Sequence, residues 1–316
     1  MARYLLHRLL ALIPVLGVVA VVVFLIVHLT PGDPATVILG DEATPQQRLA
    51  LIAQLGLDKP LAEQFFTWFA NVARGNLGVS IFMRDDVLNV FLDHLGPTVS
   101  LAVFAQLLAA VPGVWLGIVA ARRRGSLVDQ SVMGFSMLGI SVPSFLLGLF
   151  LILTFSVWLR WLPVAGYRPL SEGLWTHLRY LVLPAVALGA IQAALLARMT
   201  RSAMLDILND SYIKTARAKG LAERLVIYRH ALRNALIPIL TVFGETFGAL
   251  ITGAAVVETV FNIPGVGQLI VNSIARRDFP VIQGAILLIT VTYVLLNLFI
   301  DMLYGLVDPR VKLGRS

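Results

Sequence analysis

Leu9-Leu-Ala-Leu-Ile-Pro-Val-Leu-Gly-Val-Val-Ala-Val-Val-Val-Phe-Leu-Ile-Val-His-Leu29 contains no acidic residue, Lys or Arg. As an α-helix it rises about 30 Å, enough to cross the hydrocarbon core of a bilayer. The basic residues before it, Arg3, His7 and Arg8, invite comparison with a secretory signal peptide. The apolar run exceeds the roughly 7–15 residues of a signal's central region, and no small-x-small cleavage site precedes Thr30. It therefore reads as a retained membrane helix. Five further stretches of the same kind follow, within 94–122, 131–159, 180–197, 234–257 and 279–300, with Glu245 the one charge inside the fifth span. The expected fold class is an all-α integral membrane protein with six transmembrane helices and an amphipathic outer segment.

Composition points the same way. The chain of 316 residues is 58% hydrophobic and 14% charged, with a mean hydropathy of +0.84, whereas soluble domains carry about 25% charged residues. The absence of cysteine excludes disulfides, thiolate nucleophiles and Cys-ligated metal centres. The net charge of +7 is explained by where the bases lie. With the N-terminus inside, sixteen of the 25 Lys and Arg residues fall on the inner face, in 3–8, 122–124, 198–233 and 310–315. Of the nine outside, four sit in the long 31–95 segment, which counts little in the positive-inside rule. The short-loop contrast is sixteen to five, so both termini are expected in the cytoplasm, and no nucleic-acid partner is needed to account for the charge.

The chain divides into 1–30, the first span; 31–95, an outer segment; and 96–316, five helices with an inner loop at 198–233. In the outer segment apolar and aromatic residues, among them Leu49, Ile52, Phe65, Phe66, Trp68 and Phe69, interleave with polar ones between turns at Gly56, Pro60, Gly75 and Gly78. Short helices on the membrane surface are expected there. Prolines 14, 112, 143, 184, 238 and 280 lie within or at the start of the spans, where neighbours must satisfy the carbonyls they free. Gly134, Gly139, Ser141 and Ser144 of the third span offer small surfaces for close helix contact, with a second subunit as easily as within the chain.

Sites for chemistry are scarce. Gly134 and Gly139 have the spacing of a phosphate-binding loop, but Ile140 stands where its Lys must be, so ATP is not expected to bind this chain. Pro264-Gly-Val-Gly-Gln268 lacks the third Gly and flanking strand of a dinucleotide loop and reads as a turn. Histidines 7, 28, 94, 177 and 230 show no i, i+4 pairing, so no metal site is expected.

The inner loop is more informative. Tyr212-Ile-Lys-Thr-Ala-Arg-Ala-Lys-Gly220 is a short basic helix that Asp210 or Ser211 can cap and Gly220 can stop. It is followed by Arg229-His-Ala-Leu-Arg-Asn-Ala-Leu-Ile-Pro238. Together these strings resemble the coupling loop of ABC-importer permeases of the dipeptide/oligopeptide/nickel type. Further strings similar to that family run in order along the chain: Leu29-Thr-Pro-Gly-Asp-Pro34, Leu55-Gly-Leu-Asp-Lys-Pro60, Gly75-Asn-Leu-Gly78, Ser141-Val-Pro-Ser-Phe145, Glu258-Thr-Val-Phe-Asn-Ile-Pro-Gly-Val-Gly267 and Asp308-Pro-Arg310. The resemblance implies the first (B-type) permease subunit of a type I ABC importer in the bacterial inner membrane. Its implied partners are a second homologous permease, two cytoplasmic subunits that bind ATP and Mg, and an extracytoplasmic solute-binding protein. No cofactor is expected in this chain.

Residues 212–220 would then form the ATPase-coupling helix: Tyr212, Arg217 and Lys219 as anchors, Ala216, Ala218 and Gly220 as a small surface, with Lys214 and Thr215 between them. The family's usual acid stands at the place of Lys214, so a salt bridge built there is not expected. Two acids remain in the spans, and such groups face a cavity or a partner rather than lipid. Two roles stay open for Glu245, lining the pathway to meet an ammonium group or bonding at a subunit seam; Asp301 reads as structural. Glu258, Asn262, Pro264, Gly265 and Gly267 form a turn-rich segment expected to act as an outer gate or receptor-docking surface. The alternative class, an ion-coupled secondary transporter, would call for repeated halves and several intramembrane ionisable groups; one mid-span acid and no repeat are found.

Overall fold

The computed structural model describes residues 2–29, 44–55 and 58–307. The strings 30–34 and 308–310, positions 56 and 57 and the side chain of Asp301 lie outside the described residues. Among the described residues the main helices are α1 Ala2–Leu29, α2 Pro45–Leu55, α3 Leu61–Ala73, α4 Val87–Arg122, α5 Leu127–Ser141, α6 Ser144–Leu151, α7 Leu174–Leu208, α8 Ser211–Ala218, α9 Leu232–Gly253, α10 Ala255–Val260, α11 Val266–Arg276 and α12 Phe279–Val307. Wider π-helical turns, Ile152–Trp158 and Val226–Ala231, continue α6 and lead into α9.

Among the described residues, Val87–Arg122, Leu174–Leu208, Glu223–Ile251 and Phe279–Ile300 are long and apolar enough to cross a membrane, and α1 carries the shorter apolar stretch Ile13–Ile26. The third predicted span, 131–159, departs from a single helix. Leu127–Ser141 and Ser144–Trp158 meet at 101°. Pro143 has no N–H to continue the ladder and its ring drives the preceding residue out of the α region; Val142 is extended, at φ −88° and ψ 121°. Prolines 14, 112, 184 and 238 lie inside unbroken helices.

The chain packs as two compact units, Met1–Leu95 with Leu269–Val294, and Gly96–Gln268 with Leu295–Ser316. In the first, Thr44 and Gln47 make a reciprocal capping box at the start of α2. Phe65 and Trp68 of α3 pack on Phe24 of α1, with ring centroids 5.3 and 5.8 Å away, while Phe66 and Phe69 remain exposed. Buried Asp278 accepts a 2.6 Å hydrogen bond from the Ser80 hydroxyl and one of 3.3 Å from the Ile81 N–H, fastening the 79–86 loop.

In the second unit α7 is central, packed by α5, α6 and α9. Close helix approaches occur at Gly113, Gly117 and Gly189: a Cβ on Gly113 would lie 2.8 Å from the Ala193 carbonyl oxygen, one on Gly117 2.5 Å from the Thr200 Cβ, and one on Gly189 2.8 Å from the Ala105 carbonyl oxygen. Glycines permit such backbone contact between membrane helices. Of the small residues singled out in the third span, Gly134 faces open space.

Candidate functional site

Helix α8 is short, and isolated helices of its length do not hold in water. Tertiary contacts hold this one. Ile213 and Ala216, three residues apart and so on one face, are buried in a core with Met204 and Ala203 of α7, Val226 and Ile227, and Ala235 and Ile239 of α9. Asp210 occupies the N-cap position without a side-chain bond; its carbonyl accepts from the N–H groups of Ile213 and Lys214. At the other end Gly220 has φ +75°, a left-handed conformation. Its N–H bonds the Arg217 carbonyl at 2.9 Å, and the Leu221 N–H bonds that of Ala216 at 3.3 Å, the reciprocal pattern of a Schellman cap.

Two side-chain ties fix the helix laterally. The Asn234 amide donates to the Tyr212 hydroxyl at 2.7 Å, and Arg217 makes a two-pronged pair with Glu223, Nε to Oε2 at 3.1 Å and Nη2 to Oε1 at 2.8 Å. The Glu223 carboxylate raises the already high pKa of the Arg217 guanidinium. Lys214, Thr215, Ala218 and Lys219 are exposed. Two sequence expectations change here: Ala216 faces the chain's own core because it shares a helix face with Ile213, and Arg217 is engaged by Glu223 within the loop.

A cleft of about 660 Å³ opens along one face of α7 and one of α9, with Met133 of α5 at its edge. Gln192, Leu195, Arg198, Met199 and Ser202 recur at helical spacing on α7, as do Val242, Glu245, Thr246 and Ala249 on α9. Glu245 is exposed in this cleft. Arg201 also borders it but is bound bidentately by Asp129, Nη2 to Oδ2 at 2.7 Å, with side chains 27% and 5% exposed. Across the helix pair, Gln106 of α4 donates to Thr246 and to the Phe243 carbonyl, both at 3.1 Å.

The 258–268 turn is built around a buried carboxylate. Glu258 is fully buried; one oxygen accepts from the Thr98 hydroxyl at 2.6 Å and the other from the Gln268 N–H at 2.9 Å. Thr98 in turn accepts from the Val266 N–H at 2.8 Å. A Cβ on Gly265 would fall 2.3 Å from the Glu258 carboxyl carbon, and one on Gly267 2.4 Å from the Ala255 Cα. Asn262 and Pro264 are exposed. Glu258 and Gly265 are buried inside the turn, out of a receptor's reach, where the acid holds the Gln268 N–H directly and the Val266 N–H through the Thr98 hydroxyl. Among the described residues no group of three or more His, Asp or Glu side chains gathers to hold a metal ion.

Comparison with known proteins places this geometry. Residues 113–313 match the family of binding-protein-dependent transport system inner membrane components, and residues 1–102 match the N-terminal part of such membrane components. The chain belongs to that family. It is a multi-pass inner-membrane permease subunit of an ATP-driven ABC importer. The permease is 44% identical over 312 residues to a probable peptide ABC transporter permease protein, y4tP, of Sinorhizobium fredii, covering 99% of this chain and all of the relative. It is 43% identical to the di/tripeptide transport system permease protein DppB of Pseudomonas aeruginosa, covering 99% of each, and 43% identical to the glutathione transport system permease protein GsiC of Escherichia coli K12, again over 99% of each. In fold the permease is similar to a chain of the MetNI methionine ABC transporter in inward-facing conformations, with a TM-score of 0.59 at 18% identity over 70% of this chain and 97% of that one. An amino acid ABC transporter gives 0.50 at 16% identity, over 71% and 95%.

The fold class and the ABC-permease resemblance read from sequence are thus those of the permease. Sequence reasoning missed its polar ties. Asp129 and Arg201 stand 72 residues apart, and Thr98 lies 160 residues from Glu258. Gln106, uncharged within an apolar stretch, escapes a search for intramembrane acids and bases. A buried carboxylate packed against a glycine was detectable only as Glu258 preceding Gly265.

Proposed function

We propose that the permease is the first of two unlike membrane subunits in an importer of di- or oligopeptides or peptide-like solutes. It works with a second homologous permease, two cytoplasmic subunits that bind ATP and Mg, and an extracytoplasmic solute-binding protein. The peptide class is supported by the relatives, which are named for peptides, di/tripeptides and glutathione. In this reading both termini and 198–233 are cytoplasmic, 31–95 is outside, and 1–30, 31–95 and 96–316 divide as anchor, outer segment and permease core. The chain itself holds no nucleotide and carries out no reaction.

The observation that carries the coupling role is the mounting of α8. A helix seated by Ile213 and Ala216, capped at Gly220 and tied by Tyr212 and Arg217 moves as one body. It leaves Lys214, Thr215, Ala218 and Lys219 for the ATPases to grip. Exposed Asn262 and Pro264 are the part of the turn available to a solute-binding protein, and Glu258, Gly265 and Gly267 keep that turn in shape. Glu245 serves the passage.

The test exploits the lack of native cysteine. Ala218→Cys is expected to crosslink to an ATPase subunit and to react only with reagents that reach the cytoplasm, and Asn262→Cys to crosslink to the solute-binding protein. Labelling of the Ala218→Cys variant from outside intact cells would overturn the topology and the coupling role together.

A further inference from the structure

Glu245 and Arg198 place opposite charges in one cleft between apolar helix faces. Neither has a hydrogen-bond or ion-pair partner among the described residues, whereas the other cation of the cleft, Arg201, is taken up by Asp129. Glu245 stands inside a span, where an uncompensated charge is costly and persists where water, a solute or a partner meets it, and Arg198, at the start of the 198–233 segment, faces the same cleft. One free carboxylate and one free guanidinium together suit a ligand that carries one charge of each sign. A purely cationic or anionic solute would leave one of the two uncompensated.

We propose that this cleft is a transient binding site for a zwitterionic short peptide, Glu245 receiving the terminal ammonium and Arg198 the terminal carboxylate. The inference rests on the peptide-import reading above. The volume, about 660 Å³, lies within the range of about 300–1,000 Å³ typical of small-molecule sites. Met133 and Met199 in the lining are flexible and polarisable side chains that repack around different partners. Recognition by the two termini with a yielding apolar wall between them selects peptides as a class while tolerating many side chains. A guanidinium is suited to a carboxylate because its planar fork can bond both oxygens, and hydrogen bonds to charged groups are the strong ones. Gln192 and Ser202, on the same face of α7, are available to the peptide bond.

The experiment measures equilibrium binding of tritiated dialanine to the intact nucleotide-free importer complex, purified without its solute-binding protein. Saturable binding is expected, weakened tenfold or more by Glu245→Gln and by Arg198→Gln, with Arg198→Lys retaining part of it. Acetylation of the dipeptide's amino end should weaken binding to the wild-type complex and make no further difference in Glu245→Gln; amidation of its carboxyl end should behave likewise with Arg198→Gln. Variants that bind as the wild type does, or a wild-type complex that imports dialanine without binding it saturably, would overturn the inference and leave the peptide-import reading standing. Loss of the second permease from purified Glu245→Gln would also overturn it, assigning the cleft to the subunit seam. A wild-type complex that imports no peptide presented by its solute-binding protein would refute the import reading itself, and the inference with it.

Discussion

A side chain added at position 220 meets no atom, since nothing lies within 4 Å of the place its Cβ would occupy, so the effect of substituting Gly220 is a backbone effect. At φ +75° an L-residue with a Cβ is disfavoured by about 1–2 kcal/mol, and a β-branched one by more. The alternative is to unwind the cap and lose the hydrogen bonds from Gly220 to Arg217 and from Leu221 to Ala216, each contributing about 0.5–1.5 kcal/mol. The two routes cost similar amounts, so α8 of Gly220→Val should leave its seated position roughly fivefold to thirtyfold more often. Gly220→Asn keeps much of the native cap because Asn tolerates the left-handed region. In proteoliposomes holding the whole importer, uptake and its stimulated ATPase should fall together in the order Gly, Asn, Ala, Val. Equal loss in Asn and Val would refute the backbone argument, and full activity in Val would refute the coupling role.

Gly265→Ala sets a methyl group 2.3 Å from the Glu258 carboxyl carbon and must dislodge an acid that organises the turn. A loss of about 3 kcal/mol or more is expected, visible as a lowered Tm or failed assembly, whereas Gly134→Ala, with open space in mid-helix, should be neutral or slightly stabilising. Asp129→Asn removes the charge that holds Arg201 and weakens the acceptor of the Gly125 N–H. It should cost about 1.5–3 kcal/mol in thermal unfolding, and a double-mutant cycle with Arg201→Gln should return a coupling of about 0.5–3 kcal/mol; no coupling would show that the pair contributes nothing.

The membrane helices were legible because lipid imposes the longest-range rule a sequence obeys: every crossing must be apolar for about 20 residues. Gly220 was legible for a local reason, since a helix stop that needs positive φ selects glycine. What proline does in a span was not. Pro143 breaks its helix at 101° while Pro112, Pro184 and Pro238 sit inside continuous ones, although the residue type is the same in all four. The 258–267 stretch read as an exposed turn because Glu, Asn, Pro and Gly are turn residues; burial of Glu258 depends on Thr98, far off in sequence. Arg217 read as an anchor for a partner because Glu223, six residues on, lies off the helix and outside any i, i+4 pattern. Small residues are a divided case: composition identifies Gly134, Gly139 and Gly117 alike, and only the fold places the first in open space within this chain, the second 3.4 Å from the Ala194 Cβ and the third against Thr200.

Helices α7 and α9 each carry two functional faces, and that arrangement links the proposed lever to the proposed cleft. On α7, Leu196, Ala203 and Met204 point into the core that seats α8, while Leu195, Arg198, Met199 and Ser202 line the cleft. On α9 the corresponding sets are Ala235 and Ile239, and Val242, Glu245 and Ala249. A displacement of α8 presses on buried Met204 and Ile239, in a core against which the cleft residue Val242 also packs, and close-packed interiors transmit such displacements rather than absorb them. Physical contiguity alone does not establish coupling, so the core must be loosened without touching either end. Met204→Ala does this: it removes most of a fully buried side chain, with an expected cost of about 2–5 kcal/mol, and leaves the exposed face of α8 and the charges of the cleft in place. If force passes through this core, ATP hydrolysed per peptide imported should rise in the assembled complex. An unchanged ratio at reduced overall stability would show that motion reaches the cleft by another route.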